Sequence, residues 1–180
     1  MSEKSSESFQ VVLNTTKGQV KLDVHPEWSP LGAARFRELV ESGFYADIAF
    51  FRVLDGFVAQ FGISGDPNVS REWRTRTIKD DPVKASNKRG TVSYAMAGPN
   101  TRTTQLFINY GDNTQLDGMG FSPFAQVVEG METVDSLYSD YGEGAPRGRG
   151  PDQGRVQKEG NHYLKQEFPE LDYIVSAEVL

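Results

Sequence analysis

Apolar runs in this chain are short, and glycine and proline punctuate them throughout, with 18 Gly and 9 Pro in 180 residues. That pattern favours many short strands joined by tight turns over long helices. FQVVL, from Phe9 to Leu13, is rich in strand formers, and the turn NTTKG follows it. QVKLDV then alternates, with Val20, Leu22 and Val24 on one face and Gln19, Lys21 and Asp23 on the other. This reads as a hairpin with one solvated side.

Further along, IAFFRV, the turn LDG and FVAQFG read as two strands. Apolar residues fall on both parities there, so both faces are expected to be covered. TVSYAMA (91–97) and QLFIN (105–109) are strands flanking the loop GPNTRTT, FAQVVEG (124–130) is another, and LDYIVSAEVL is the last. One helix is well signalled. Ser29 suits an N-cap, Pro30 the first helical position and Gly43 the stop, while Ala33, Phe36, Leu39 and Val40 make its apolar stripe. A second, short helix is read from Met131, Val134 and Leu137 at helical spacing. Residues 64–90 and 141–160 read as long loops, the latter with six Gly and two Pro. The count is eight strands and two helices. Eight antiparallel strands can close into a barrel just filled by side chains, and closure removes exposed edges. The expected fold is mainly β, a closed eight-stranded antiparallel β-barrel capped by two α-helices. A two-sheet sandwich is the alternative.

Composition narrows the function. There is no cysteine, which excludes disulfides, thiolate metal sites and cysteine nucleophiles. A reducing, cytoplasmic setting is expected. The N-terminal MSEKSSESF lacks the apolar stretch of a secretory leader. Residues 1–8 are therefore read as a disordered polar tail and 9–180 as a single domain. No run of about 18 apolar residues marks a membrane span. A net charge of −6 and a pI near 5.0 lack the basic footprint of a nucleic-acid binder. With two histidines, His25 before a proline and His162 in a polar loop, neither a Ser-His-Asp triad nor a zinc site is expected. DNTQLDG resembles a calcium loop only until its fifth position, Leu116. RGRGPDQG lacks the strand-to-helix context of a dinucleotide site. Trp28 and Trp73 are read as packing residues.

Strand parity gives a positive signal. Arg52 shares a strand face with Phe50 and Ile48, Gln60 with Val58, Gln105 with Phe107, and Ala95 with Ala97. Cores avoid unpaired Arg and Gln, and solvated faces avoid Phe. A shallow apolar groove with a few fixed donors accounts for both, as does a partly solvated sheet face.

FFRVLDGFVAQFG and SYAMAGPNTRTTQLFIN resemble the two signature segments of the cyclophilin-type peptidyl-prolyl cis-trans isomerases. The resemblance runs in order from Phe9 to the last strand. Cyclophilins are closed eight-stranded barrels capped by two helices, in agreement with the count above. The resemblance implies that Arg52 is the catalytic arginine. It implies that Phe57, Val58, Phe107 and Leu116 wall a proline pocket, with Phe121 near a pocket histidine or tyrosine. Gln60 and Gln105 would orient the substrate backbone, and Ala95, Met96 and Ala97 would form the strand it lies against. Gln115 stands where many members have Trp, so weak cyclosporin binding is expected. The implied activity is rotation of X–Pro bonds in flexible or unfolding chains, by a monomer without metal or cofactor. A non-catalytic proline-peptide binding module or folding helper is the alternative.

Overall fold

The computed structural model describes residues 7–180. The expected polar tail lies outside the described residues except for Glu7 and Ser8, which are exposed and precede β1 (Phe9–Thr15). With β2 (Gly18–Val24), β1 forms the expected hairpin, Val11 opposite Leu22 and Leu13 opposite Val20. These side chains are almost wholly buried. On the other face a polar pair bridges the two strands, Gln10 donating to Asp23 at 2.7 Å.

The hairpin is followed by α1 (Pro30–Glu41), then β3 (Ile48–Ala49), β4 (Arg52–Leu54) and β5 (Val58–Phe61). Next come α2 (Pro67–Trp73), β6 (Thr91–Tyr94) and β7 (Leu106–Asn109). A 3₁₀ turn over Thr114–Met119 leads to β8 (Ala125–Glu129) and α3 (Met131–Asp135). The chain ends through α4 (Gln153–Glu159), α5 (Asn161–Glu167) and β9 (Tyr173–Val179). Among the described residues there are thus nine strands, all paired antiparallel in the order β3-β9-β1-β2-β8-β6-β7-β5-β4.

This corrects the closed eight-stranded barrel. The sheet is an open, curled half-barrel whose edges, β3 and β4, are separated by Phe50 and Phe51 with no ladder between them. The run IAFFRV is accordingly two short strands. The break also reverses parity: Ile48, Phe50 and Val53 enter the main core, while Phe51 joins a second cluster. Arg52 therefore does not share a face with Phe50 and Ile48. Phe50 and Phe51 each bury a ring, one in each cluster, worth roughly 1.5–3 kcal/mol apiece, and the reversal falls between Phe51 and Val53.

α1 buries its predicted stripe, with Phe36 packed 5.6 Å from Tyr45 and 5.1 Å from Phe124, centroid to centroid. Ser29 occupies the cap position but does not cap; its hydroxyl bonds the Ser122 hydroxyl and the Pro123 carbonyl. The helix is capped from a distance. Asp81 accepts from the backbone N–H of Leu31 at 3.1 Å and of Gly32 at 2.9 Å.

Both long loops contain helix. Asp66 caps α2 by accepting from Asn68 N–H, with Pro67 at the first helical position. In 141–160 the glycines give way at Asp152, which caps α4 by accepting from Arg155 N–H. Val156, Tyr163 and Leu164 then pack with Phe51, Ile63 and Phe168 in the second cluster. Among the described residues no helix is long and apolar enough to cross a membrane, and no group of three His, Cys, Asp or Glu side chains is placed to hold a metal ion.

Candidate active site

Register across three strands builds the site. Arg52 on β4 lies opposite Gln60 on β5, and Gln60 opposite Phe107 on β7. Their neighbours Val53, Ala59 and Ile108 point into the main core, so the three residues form one row on the other sheet face. Val58 adjoins the row. It packs with Phe107 and Leu116 in a small apolar cluster flanked by Phe57 and Phe121. The Phe107 and Phe121 rings meet edge to face at 5.6 Å and 74°.

These residues line a cavity of about 440 Å³, within the range of small-ligand sites. Arg52, Phe57, Val58, Gln60, Ala95, Met96, Ala97, Gln105, Phe107, Leu116 and Phe121 all contribute. Sequence reading missed Thr101, Thr103, Met119 and Gln153, which also line it. Gln115, expected to set selectivity, stands apart from the other expected site residues. It is exposed and does not line the cavity, because the 3₁₀ turn directs Leu116 inward and its neighbour outward. Neither histidine lines the cavity; His25 stacks on Trp28 at 4.1 Å and His162 is exposed. The Arg35 and Arg76 guanidinium groups lie over the Trp73 ring at 5.3 and 4.8 Å, a packing role.

Past Val92, β8 no longer pairs with β6, so one edge of the stretch leading to Ala95, Met96 and Ala97 is left without a strand partner. The other edge stays held, Ala95 N–H donating to Gln105 C=O at 2.9 Å.

A buried polar frame supports the apolar hollow from behind. Asn113 Nδ2 donates to the Phe57 carbonyl at 2.9 Å, and Asn87 Nδ2 to the Phe121 carbonyl at 2.9 Å. Asp117, within the 3₁₀ turn, accepts from both nitrogens of Asn87, at 2.8 and 2.7 Å. No local pattern pointed to these residues, because their partners are distant in sequence.

The rim is a chain of directed hydrogen bonds. Arg52 Nη1 donates to Gln60 Oε1 at 2.9 Å, and Gln60 Nε2 to Gln105 Oε1 at 2.9 Å. Glu143, from the glycine-rich loop after α3, accepts from Arg52 Nε at 2.7 Å and Nη2 at 2.8 Å. The guanidinium holds the Glu143 carboxyl down at about 2. The chemistry available is therefore a fixed cationic donor beside an apolar hollow. No nucleophile is poised at it.

The family description "Cyclophilin type peptidyl-prolyl cis-trans isomerase/CLD" matches residues 10–159. The chain belongs to the cyclophilin-type peptidyl-prolyl cis-trans isomerases. It is 36% identical over 136 residues to mouse (Mus musculus) "Peptidyl-prolyl cis-trans isomerase-like 3", covering 72% of this chain and 81% of that protein. It is 34% identical over 137 residues to "Peptidyl-prolyl cis-trans isomerase A" of Dickeya dadantii, covering 72% of this chain and 71% of the relative. A cyclophilin type isomerase of Cryptosporidium parvum has the same fold, with a TM-score of 0.71 at 22% identity over 97% of this chain and 98% of its own. That protein was also solved in the presence of the dipeptide Ala-Pro, where the TM-score is 0.69 at 23% identity over 95% of this chain and 98% of its own. In this cyclophilin the two signature segments are β4–β5 and the β6–β7 unit, the strands that build the groove.

Proposed function

We propose that this cyclophilin rotates X–Pro peptide bonds in flexible or unfolding chains, with Arg52 hydrogen-bonding the prolyl nitrogen in the twisted state. The reading rests on one observation: a tethered guanidinium and an apolar, aromatic hollow line the same cavity. The barrier to rotation is ~18–20 kcal/mol because resonance gives C–N partial double-bond character. No bond breaks, so neither nucleophile nor metal is needed. An acceleration of ~10⁵ needs about 7 kcal/mol of transition-state stabilisation. As the amide twists, resonance is lost and the prolyl nitrogen regains its lone pair. A guanidinium N–H can donate to that lone pair, and a donor already in place needs no reorganisation during the reaction. The planar ground-state nitrogen offers no such lone pair, so the contact favours the twisted state selectively.

The proline ring would occupy the hollow of Phe57, Val58, Phe107, Leu116 and Phe121. The peptide backbone would lie along Ala95, Met96 and Ala97, on the edge that β8 leaves open. Gln60 and Gln105 would grip the chain near the scissile-free, rotating amide.

Arg52→Ala tests this in a protease-coupled assay on an Ala-Pro peptide. A fall in kcat/KM of roughly one to three orders of magnitude is expected, the loss of one preorganised charged donor. Peptide binding should persist. Unchanged turnover would remove Arg52 from the mechanism. Peptide binding by the wild type without turnover would establish the binding-module alternative.

A further inference from the structure

Glu143 has no part in the chemistry just described, yet its carboxylate makes the closest contact with the residue that does. It takes Arg52 side-on through Nε and Nη2, which fixes the plane of the guanidinium as well as its position. Gln60 takes Nη1. A guanidinium has five N–H donors; with three engaged, one on Nη1 and one on Nη2 stay available.

The carboxylate is itself built in. Its Oε1 also accepts from Gly144 N–H at 2.8 Å. The Glu143 carbonyl accepts from Gly150 N–H at 2.8 Å, and Gly144 C=O from Gly148 N–H at 3.1 Å. A Cβ at Gly148 would run into the Glu143 carbonyl oxygen, so the loop closes this tightly only with glycine there.

The direction of approach matters. Glu143 does not line the groove; it lines a second hollow of about 370 Å³ with Ala145, Pro146 and Asp152, while Arg52 lines both. The ion pair is a partition, and the carboxylate reaches the guanidinium from behind.

Two effects of Glu143 on Arg52 oppose each other. Its negative charge weakens the field that Arg52 projects into the groove. Its geometry removes the freedom of a long side chain that would otherwise pivot on the Gln60 hydrogen bond. The carboxylate is 35% exposed, so water screens its field. Screening does not loosen the orientation that the two contacts impose.

We propose that Glu143 is a positioning residue for isomerisation, holding the Arg52 guanidinium in the orientation that meets the twisted prolyl amide. The inference rests on the Arg52 mechanism proposed above.

The test compares Glu143→Ala, Glu143→Gln, Arg52→Ala and each Glu143 change combined with Arg52→Ala. NMR exchange on a saturating Ala-Pro peptide gives kcat, and a separate titration gives peptide affinity. Glu143→Ala should lower kcat roughly ten- to hundredfold with affinity changed less than about threefold, as expected when a reacting group is misplaced by about an ångström. Glu143→Gln, similar in shape but able to accept only through one oxygen, should fall between. In the Arg52→Ala background neither change should lower kcat further. A rise in kcat for Glu143→Gln would mean that the carboxylate damps Arg52, and would overturn the proposal. So would unchanged kcat in Glu143→Ala, or a further fall in the double variant, which would mark a loop-structural role. If Glu143→Ala does not fold, the Glu143→Gln pair of measurements decides alone. Normal turnover in Arg52→Ala would overturn the underlying mechanism and this inference with it. A slow Arg52→Ala beside a normal Glu143→Ala overturns only the inference.

Discussion

Arg52 keeps 22% of its side chain exposed at the edge of an apolar hollow, and Glu143 keeps 35%. Deleting Arg52 leaves behind a carboxylate that water can reach. Exposed pairs of this kind contribute about 0–1 kcal/mol, and 1 kcal/mol moves Tm by roughly 2–4 °C in a chain of this size. Arg52→Ala should therefore melt within about 2–4 °C of the wild type; a larger drop in calorimetry would mark Arg52 as structural. The pH dependence follows from the same pair. The Arg52 hydrogen bonds depress the Glu143 carboxyl to about 2, below its unfolded value of about 4.3. A depressed acid stabilises the fold fully above the unfolded value and loses that contribution as pH falls toward the folded one. Between pH 5 and 9 the pair is constant, and no histidine lines the groove. Turnover should thus be flat across about pH 5–9; an inflection near neutrality in a protease-free assay would bring in His25 or His162. At this scale the groove was legible because Arg52, Phe57, Val58 and Gln60 stand within one short segment, as do Ala95 to Phe107. Glu143 was not legible. It lies 91 residues from Arg52, inside a run whose glycines read only as loop.

Helix α1 shows the same contrast between local and distant information. Its stripe and proline were readable, but its cap is Asp81, about fifty residues away. Asp81 also accepts from Arg102 at 3.1 Å, and the two side chains are 2% and 3% exposed. Removing one partner of a buried pair costs about 3–5 kcal/mol because the other charge is left stranded. Asp81→Ala should lose roughly that much in urea unfolding, while turnover per folded molecule holds, since Asp81 does not line the groove. A loss under about 1 kcal/mol would mean that Arg102 finds other partners. The 3₁₀ turn carries a second prediction. Leu116 faces the hollow and Gln115 faces solvent, so this element offers a bulky macrocycle no aromatic wall. Cyclosporin should inhibit weakly, and Gln115→Trp should leave peptide turnover within roughly twofold. Nanomolar inhibition of the wild type would show that this turn does not limit the macrocycle. Helices α2 and α4 went unread because their caps, Asp66 and Asp152, sit in polar, turn-rich stretches, and α5 because Gly160 stands at its start with no capping side chain. Their apolar residues are too few to show a period, and only packing against Phe51 and Ile63 makes Val156 and Tyr163 core.

At the scale of the whole molecule, strand count and antiparallel pairing were nearly legible, because alternation in β1 and β2 and the turns between strands are local signals. Closure was not. Whether a sheet closes depends on what happens at its two edges, and both lie in the seven residues from Ile48 to Leu54. There the sequence shows four apolar residues, Ile48 to Phe51, running straight into Arg52 and Val53 with no turn signal. The structure shows two rings packing on opposite sides, a strand split in two and a ladder left open. The split also frees Arg52 from the core side that simple alternation assigned to it. The groove thus depends on the same irregularity that prevents a barrel.

The last strand lies between β1 and β3, and Val11 is paired with Val179 across almost the entire chain. During synthesis this has a cost in time. From the moment β1 leaves the ribosome until residues 173–179 follow, one side of β1 is a bare edge of unpaired N–H and C=O groups, the kind of surface that recruits foreign strands. Pairings so distant in sequence also form slowly. The sheet of this cyclophilin therefore stays incomplete until residues 173–179 have been made and have threaded between β1 and β3.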